Sequence, residues 1–288
     1  MRLANVKGRA TILTAAGGVD VATASQGRFS AEVQAAYDDW DALVGLAADL
    51  TAGEAQRAEP VSVEEADLMS PVPAPRQVFA IGLNYRSHAA ETGVDIPAVP
   101  ATFTKFPACL AGPYDDVTLS GDTVDWEVEL VVVIGRRADR VAEADGWDHV
   151  AGLTVGQDVS DRTLQFAAGA QFSLGKSHRG YGPLGPVLVT PDELPDRDDL
   201  ALGCRVNGET MQDARTGDMV FGVPRLVAEL SAVVPLLPGD VIFTGTPAGV
   251  GLARQPARFL QPGDVVESWI DGIGTIRNRF TAPAEMTS

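Results

Sequence analysis

The stretch Asp125-Trp-Glu-Val-Glu-Leu-Val-Val-Val-Ile134 sets two carboxylates at the head of an apolar run. Val131–Ile134 is dominated by β-branched residues and reads as a strand. Side chains alternate across a strand, so Glu127 and Glu129 share one face while Trp126 and Val128 take the other. Two like charges so close repel, and either a shared proton or a bound cation relieves this. The pair could equally be two glutamates on a solvent-facing edge. A second apolar run, Leu153–Val155, leads through Gly156 and Gln157 to Asp158, a third carboxylate at a strand end. Functional groups concentrate where regular elements give way to loops. Three oxygen ligands suit Mg2+ or Mn2+, whereas Zn2+ favours Cys and His. The other reading of Asp158 is the N-cap of a helix beginning within Ser160-Asp-Arg-Thr-Leu-Gln165.

An acid–base pair lies upstream. In Ile81-Gly-Leu-Asn-Tyr-Arg-Ser-His-Ala-Ala-Glu-Thr-Gly93, His88 and Glu91 are three residues apart. On a helix they share a face, where the carboxylate can orient the imidazole and raise its basicity. The segment is short, polar and bounded by Gly82 and Gly93, as a lid would be. The bland alternative is an exposed helix with an incidental pair. Two glycine-rich segments need sorting. Leu174-Gly-Lys-Ser177 is not a phosphate-binding P-loop, because position 170, which should be glycine, is Ala170. Thr244-Gly-Thr-Pro-Ala-Gly-Val-Gly251 lacks the dinucleotide spacing, yet it offers backbone N–H groups and Thr246 to an anion.

A sheet must hold these groups. Short apolar runs alternate with Gly/Pro turns at Val78–Gly82, Val128–Ile134, Leu153–Val155, Val187–Thr190, Leu202–Val206, Val241–Thr244 and Val265–Ile270. One helix is predicted from Pro224, with Leu226, Val227, Leu230, Val233 and Val234 on its apolar face. Before residue 70 the chain predicts strands at Ala10–Ala15 and Val19–Ala24, a helix over Trp40–Leu50 and a polar stretch over Thr51–Glu65. Ser70-Pro-Val-Pro-Ala-Pro75 reads as a linker. The expected organisation is therefore a small α/β N-terminal domain over 1–70 and a mostly β catalytic domain over 71–288.

The bulk properties exclude several classes. A net charge of -17 repels phosphate backbones and anionic membranes, so neither nucleic acid nor membrane is an expected partner. No apolar run approaches the ~20 residues that span a bilayer, and no secretory leader is recognised. Cys109 and Cys204 form neither a disulfide framework nor a ligand cluster, which points to a reducing cytoplasm. Lysine occurs only at Lys7, Lys105 and Lys176, two of them inside the segments discussed next.

Taken in order, Gly82-Leu-Asn-Tyr-Arg-Ser-His-Ala-Ala-Glu91, Thr104-Lys105, Asp125-Trp-Glu-Val-Glu-Leu130, Gln157-Asp158 through Gln165, Gly175-Lys-Ser177 with Pro183-Leu-Gly-Pro186, Val206-Asn-Gly208, Thr244–Gly251 and Pro262-Gly-Asp-Val-Val-Glu267 form a specific ordered set. The chain resembles the fumarylacetoacetate hydrolase family, in its small bacterial, acylpyruvate-hydrolase-like branch. The resemblance implies a mixed, mostly β fold of the β-roll type and a homodimer. It implies that Glu127, Glu129 and Asp158 bind Mg2+ or Mn2+, which a small 2-oxo-acid substrate chelates through its 2-oxo group and carboxylate. It implies that His88 and Glu91 sit on a lid, that Lys176, Gln165 and Thr246 line the pocket, and that Lys105 is a further substrate contact. Leu83 and His178-Arg179 depart from what many relatives carry and could bear on the substrate.

The expected activity is hydrolysis of a C–C bond in a 2,4-diketo acid, either an acylpyruvate or a sugar-derived diketo acid. His88 activates water, and Lys176 with the metal stabilises the departing pyruvate enolate. Oxaloacetate decarboxylation and isomerisation of a 2-oxo dienoate pass through the same enolate and are the alternatives on this site. A non-enzymatic 2-oxo-acid binding protein is the rival from another class; the base and all three carboxylates argue against it.

Overall fold

The computed structural model describes residues 1–52 and 58–282; residues 53–57 of the polar stretch over 51–65 lie outside the described residues. One mixed sheet of eleven strands dominates. Its main path runs Gly17–Asp20, Arg9–Thr14, Arg2–Val6, Gly182–Val189, Val150–Gln157, Val128–Ile134, Val241–Phe243, Val78–Gly82 and Ala101–Thr104. A second sheet of five orders Glu209–Arg215, Ala201–Val206, Val265–Ile270, Gly274–Thr281 and the two-residue Val117–Thr118. The expected mostly β, mixed architecture is what the chain adopts.

The central 128–134 strand shows why. Every residue in it is buried. Leu130, Val132 and Ile134 pack with Leu202, Val266 and Ile276 of the second sheet. Val131 and Val133 project to the other face, among Leu3, Tyr37, Leu43 and Phe243. Period-2 alternation thus feeds two cores at once, and each fully buried Val or Leu contributes about 1.5–3 kcal/mol. Glu127 and Glu129 belong to the same parity as Val131 and Val133.

The expected boundary near residue 70 marks no break in this sheet. Arg2–Val6 pairs antiparallel with Gly182–Val189, Leu3 opposite Leu188. The helix Trp40–Thr51 lays Trp40, Leu43 and Ala47 on the core shared with the 128–134 strand. The Pro-rich stretch is pinned: Tyr37 Oη donates to Pro71 O at 2.9 Å, Asn5 Nδ2 donates to Ser70 O at 2.8 Å, and Val72 is fully buried. Two local expectations are corrected. The strand predicted over Val19–Ala24 ends at Asp20, whose carboxylate caps a one-turn helix, Val21–Ala24, by accepting from Thr23 N. The helix from Pro224 is Val223–Ser231, with Leu226, Val227 and Leu230 buried; it stops before Pro235, leaving Val233 exposed. Among the described residues, no helix is long and apolar enough to cross a membrane.

Candidate active site

Register brings the site together. Val128 stands opposite Gln157 in an antiparallel pair, so the entry of one strand and the exit of the other share an end of the sheet. Asp158 N donates to Glu127 O at 2.9 Å, closing that end. On the other flank, Val241–Phe243 runs antiparallel to residues 131–133, so the loop after Phe243 returns beside Leu130 and Val128. Thr244 N donates to Leu130 O at 3.1 Å, and Thr246 Oγ1 to Val128 O at 2.8 Å. Val78–Gly82 lies parallel to Val241–Phe243 and exits at the same end, delivering the helix Arg86–Thr92. Asn84 locks that exit by donating to Phe221 O at 3.0 Å and Thr244 O at 2.7 Å.

Potential ligand atoms of Glu127, Glu129 and Asp158 all lie within 4.8 Å of one another, and all three residues are buried. The solvent-edge reading of the glutamates and the N-cap reading of Asp158 therefore fail. The cap of the helix Arg162–Ala167 is Asp161, which accepts from Leu164 N at 3.0 Å. Lys176 Nζ bonds Glu127 Oε2 at 2.6 Å and Asp158 Oδ2 at 2.8 Å. Arg162 bonds Glu127 Oε1 at 2.7 Å and Asp125 Oδ2 at 2.8 Å. Burial alone would raise the Glu127 carboxyl, but the Lys176 and Arg162 cations outweigh it and hold it near a pKa of about 2. Glu129 is different. Burial, then the Asp158 and Glu127 charges, push it well above the ordinary carboxylate range, and among the described residues it accepts only Gly245 N–H, at 2.7 Å. Four buried carboxylates, counting Asp125, meet three buried cations, Lys105, Lys176 and Arg162. The residues fit a divalent cation: a hard, all-oxygen donor set carries excess negative charge centred on Glu129.

Lys105 takes a place the sequence did not indicate. Its ammonium is fully buried behind the cluster, not on the cavity wall, bonding Asp158 Oδ1 at 2.7 Å, Tyr181 O at 3.0 Å and Lys176 O. Burial disfavours its charge, yet the Asp158 carboxylate prevails and its pKa is raised. In this position Lys105 serves as counter-ion to Asp158 and anchor for the Lys176 backbone rather than as a substrate contact. Lys105→Met leaves the buried Asp158 carboxylate under-compensated and the Lys176 carbonyl without its donor, while Tyr181 O keeps only the Val159 N–H. It is expected to lower unfolding free energy by about 3–5 kcal/mol, read from urea denaturation of the metal-free protein. A loss below 1 kcal/mol would refute the counter-ion assignment.

A cavity of about 510 Å³ opens over this end of the sheet, lined by His88, Glu91, Glu127, Arg162, Gln165 and Lys176 among others. His88 is buried, not exposed as its polar surroundings suggested, and its Nδ1 lies 3.1 Å from Glu91 Oε2. Glu91 Oε1 accepts Gly249 N–H at 2.9 Å, tying the pair to the glycine-rich loop. That loop does offer N–H groups to anions, as its sequence suggested, but the anions are the protein's own: Gly245 to Glu129, Gly249 to Glu91, Gly251 to Asp125. Gly245 needs its positive φ of +100°, and a Cβ there would fall 2.7 Å from Asn84 Cβ. In Gly175-Lys-Ser177 the glycine allows backbone contact with the helix Arg162–Ala167, since a Cβ would lie 2.4 Å from Gln165 N. That contact aims Lys176 into the cluster.

Gln165 lines the cavity with its oxygen accepting from Arg162 Nη1 at 3.0 Å, which leaves its amide NH2 for a ligand. Thr246 also lines the cavity, but its hydroxyl proton is committed to Val128 O and its oxygen accepts from Gln212 Nε2 at 2.8 Å. Leu83 lines the cavity from a left-handed backbone (φ 55), an uncommon conformation for a γ-branched residue. His178 instead packs at a tilt against Tyr181, 4.9 Å between centroids and 55° between planes, and faces Asp161. Sequence reasoning passed over Asp125, Arg162, Gln212 and Arg254. Asp125 had a signal, continuing the 127/129 spacing by two. It receives Arg162, Gly251 N at 2.7 Å and Leu252 N at 2.8 Å, and so binds the cavity walls together.

The chain is similar to known proteins in sequence and in fold. The model of the fumarylacetoacetate (FAA) hydrolase C-terminal region matches residues 77–281. The chain is 45% identical over 218 residues to oxaloacetate tautomerase FAHD2A, mitochondrial, of Bos taurus, covering 75% of this chain and 69% of that protein. A candidate HpcE protein from Mycobacterium smegmatis is 50% identical with a TM-score of 0.93, over 99% of this chain and 100% of that one. Maleylpyruvate hydrolase from Sphingobium sp. SYK-6, solved with manganese(II) ion and pyruvate, is 28% identical with a TM-score of 0.78, over 99% of this chain and 100% of that one. With residues 77–281 matched by that family's model, the chain belongs to the fumarylacetoacetate hydrolase family.

Proposed function

We propose that this enzyme moves a proton at the carbon beside the 2-oxo group of a short 2-oxo acid, interconverting keto and enol forms, with oxaloacetate as substrate. The observation that carries the reading is His88, an imidazole in the cavity wall whose Nδ1 is held by Glu91. Similarity to an oxaloacetate tautomerase supports the choice of substrate. Glu127, Glu129 and Asp158 would hold the divalent cation, which when bound acts as a Lewis acid on a chelated 2-oxo group. Glu91 accepts the Nδ1 proton, leaving Nε2 of His88 as the base. His88 takes a proton from C3; the C3–H electron pair becomes the C2–C3 double bond, and the proton passes to the former carbonyl oxygen. Lys176 supplies fixed positive charge beside the oxygen that becomes negative. Gln165 presents its amide NH2 to the substrate carboxylate.

Hydrolytic cleavage of a 2,4-diketo acid, the activity expected first from the sequence, is the second reading. It would use the same pair to activate water, and likeness to a hydrolase solved with manganese and pyruvate favours it. Both are tested by mixing enol-rich oxaloacetate with enzyme and Mg2+ or Mn2+ and following enol absorbance and pyruvate together. Tautomerisation predicts accelerated, metal-dependent loss of enol absorbance without pyruvate. An uncatalysed absorbance trace alongside rapid cleavage of an acylpyruvate would replace the first reading with the second.

A further inference from the structure

Among the described residues, three arginine or lysine side chains line the cavity: Arg162, Lys176 and Arg254. Arg162 is committed to Asp125 and Glu127, and Lys176 to Glu127 and Asp158. Arg254 has no carboxylate partner among the described residues. Its Nη2 donates to Met211 O at 3.0 Å, and its Nε is buried without an acceptor. In a chain of net charge -17, acidic partners are plentiful, so an arginine left unpaired beside the reaction cavity calls for an anion. A guanidinium offers five N–H donors in a planar fork matched to a carboxylate. Its position is fixed, because Asp125 receives both Arg162 and the backbone N–H groups of Gly251 and Leu252, just before Arg254. One carboxylate thus ties together the wall near the carboxylate cluster and the segment that carries Arg254.

We propose that Arg254 binds the second carboxylate of the substrate, remote from the 2-oxo-acid end, and makes the site selective for 2-oxo dicarboxylates over 2-oxo monocarboxylates. This rests on the 2-oxo-acid reading above and adds the group that reads the far end of the molecule. A dianion entering a cavity that also exposes Glu91 and Glu127 needs a local cation to offset their field. Of the neighbouring residues that line the cavity, Val250, Leu252 and Ala253 are apolar and Gln255 is uncharged, so none of them offers a competing charge. A charge-assisted pair in such surroundings is stronger than one in open water.

The test is calorimetric titration of the Mn2+-loaded protein with oxaloacetate and with pyruvate, which share the 2-oxo-acid end and differ by the distal carboxylate. The wild type is expected to bind oxaloacetate more tightly. Arg254→Gln should weaken oxaloacetate roughly 10–100-fold, as loss of a charged hydrogen bond does, while pyruvate changes less than about twofold. Arg254→Lys should fall between. Retained pyruvate affinity shows that each variant is folded. Unchanged oxaloacetate affinity in Arg254→Gln, equal weakening of both ligands, or no wild-type preference would each overturn the proposal. Because the readout is binding, a wild type that discriminates but does not enolise oxaloacetate would sink the reaction assigned above and leave Arg254 standing. A wild type that binds neither ligand would sink both.

Discussion

Glu129→Gln is expected to abolish detectable Mn2+ binding and catalysis while leaving the metal-free protein as stable as the wild type or more so. Glu129 is the carboxylate of the cluster without a cationic partner; it is buried, and the Asp158 and Glu127 charges raise its pKa further. Glutamine has the same shape and can still accept Gly245 N–H through its amide oxygen. It removes the like-charge repulsion that a bound cation would otherwise offset. In the wild type, saturating Mn2+ at 100 times its Kd should add about 2.7 kcal/mol of stability; the variant should gain nothing. The pH dependence carries a defined sign. A carboxyl whose folded pKa is raised binds more protons in the native state, so metal-free stability falls as pH rises from near 4.5, the ordinary value, through the raised one. Glu129→Gln should flatten that slope. Glu127, held near 2, works in the opposite sense: its contribution is present above about 4.5 and lost as pH falls toward 2. Thermal melts of both proteins in chelator across this range, beside Mn2+ calorimetry, check it. Unchanged Mn2+ affinity in the variant would remove Glu129 from the site.

The carboxylates were legible because two local rules agree at one place. β-Branched residues at 131–133 demand a strand, and alternation then puts Glu127 and Glu129 on one face. Their proximity to Asp158 depends on pairing Val128 with Gln157, a register that nothing within either segment specifies. Arg162 was passed over for the same reason. Its partners are 37 residues away at Asp125 and 35 at Glu127, and only the fold makes the charges neighbours. Lys105 was assigned to the substrate because its segment matched a motif. Burial decides otherwise, since a fully enclosed ammonium must keep its carboxylate and carbonyl partners.

Among the strands, apolar runs marked those buried on both faces and also the half-exposed Val265–Ile270, whereas the polar-rich Glu209–Arg215 and Gly274–Thr281 escaped. Gly274–Thr281 alternates exposed Thr275, Arg277 and Arg279 with buried Ile276, Asn278 and Phe280, a period of two without any apolar run. Glu209–Arg215 is mostly polar, yet it carries Gln212, which holds Thr246 at 2.8 Å and accepts Val128 N–H at 2.9 Å. The strand that braces the active-site loop thus had no apolar run to mark it. The misread helix end has a local cause: Val233 and Val234 continue the apolar period, but Pro235 prevents the backbone from following it.

His88→Ala should lower kcat for oxaloacetate tautomerisation by the ~10²–10⁴-fold typical of a positioned general base. KM and Mn2+ affinity should change little, because His88 is not one of the three residues whose ligand atoms gather. The shift in kcat alone marks an interaction made in the transition state rather than in binding. Glu91→Gln should cost less. Its amide oxygen can still take one of the two bonds that Glu91 makes, to His88 Nδ1 or to Gly249 N–H, but the negative charge that raises the basicity of the imidazole is gone. Acylpyruvate cleavage should fall in parallel with tautomerisation, since each requires a base, one to remove a C3 proton and one to activate water. Decarboxylation of oxaloacetate removes no such proton; if the protein supports it, the loss there should be smaller, reflecting only a less complete cavity wall. Measuring the reactions on the same variant cancels a general folding defect, which would depress all of them equally. Tautomerisation within a few-fold of wild type in a metal-loaded His88→Ala protein would exclude His88 as the base. Equal losses in decarboxylation and tautomerisation, in a His88→Ala protein that keeps wild-type stability and Mn2+ affinity, would mean that the helix Arg86–Thr92 contributes by enclosing the cavity, and that the proton is taken by another group.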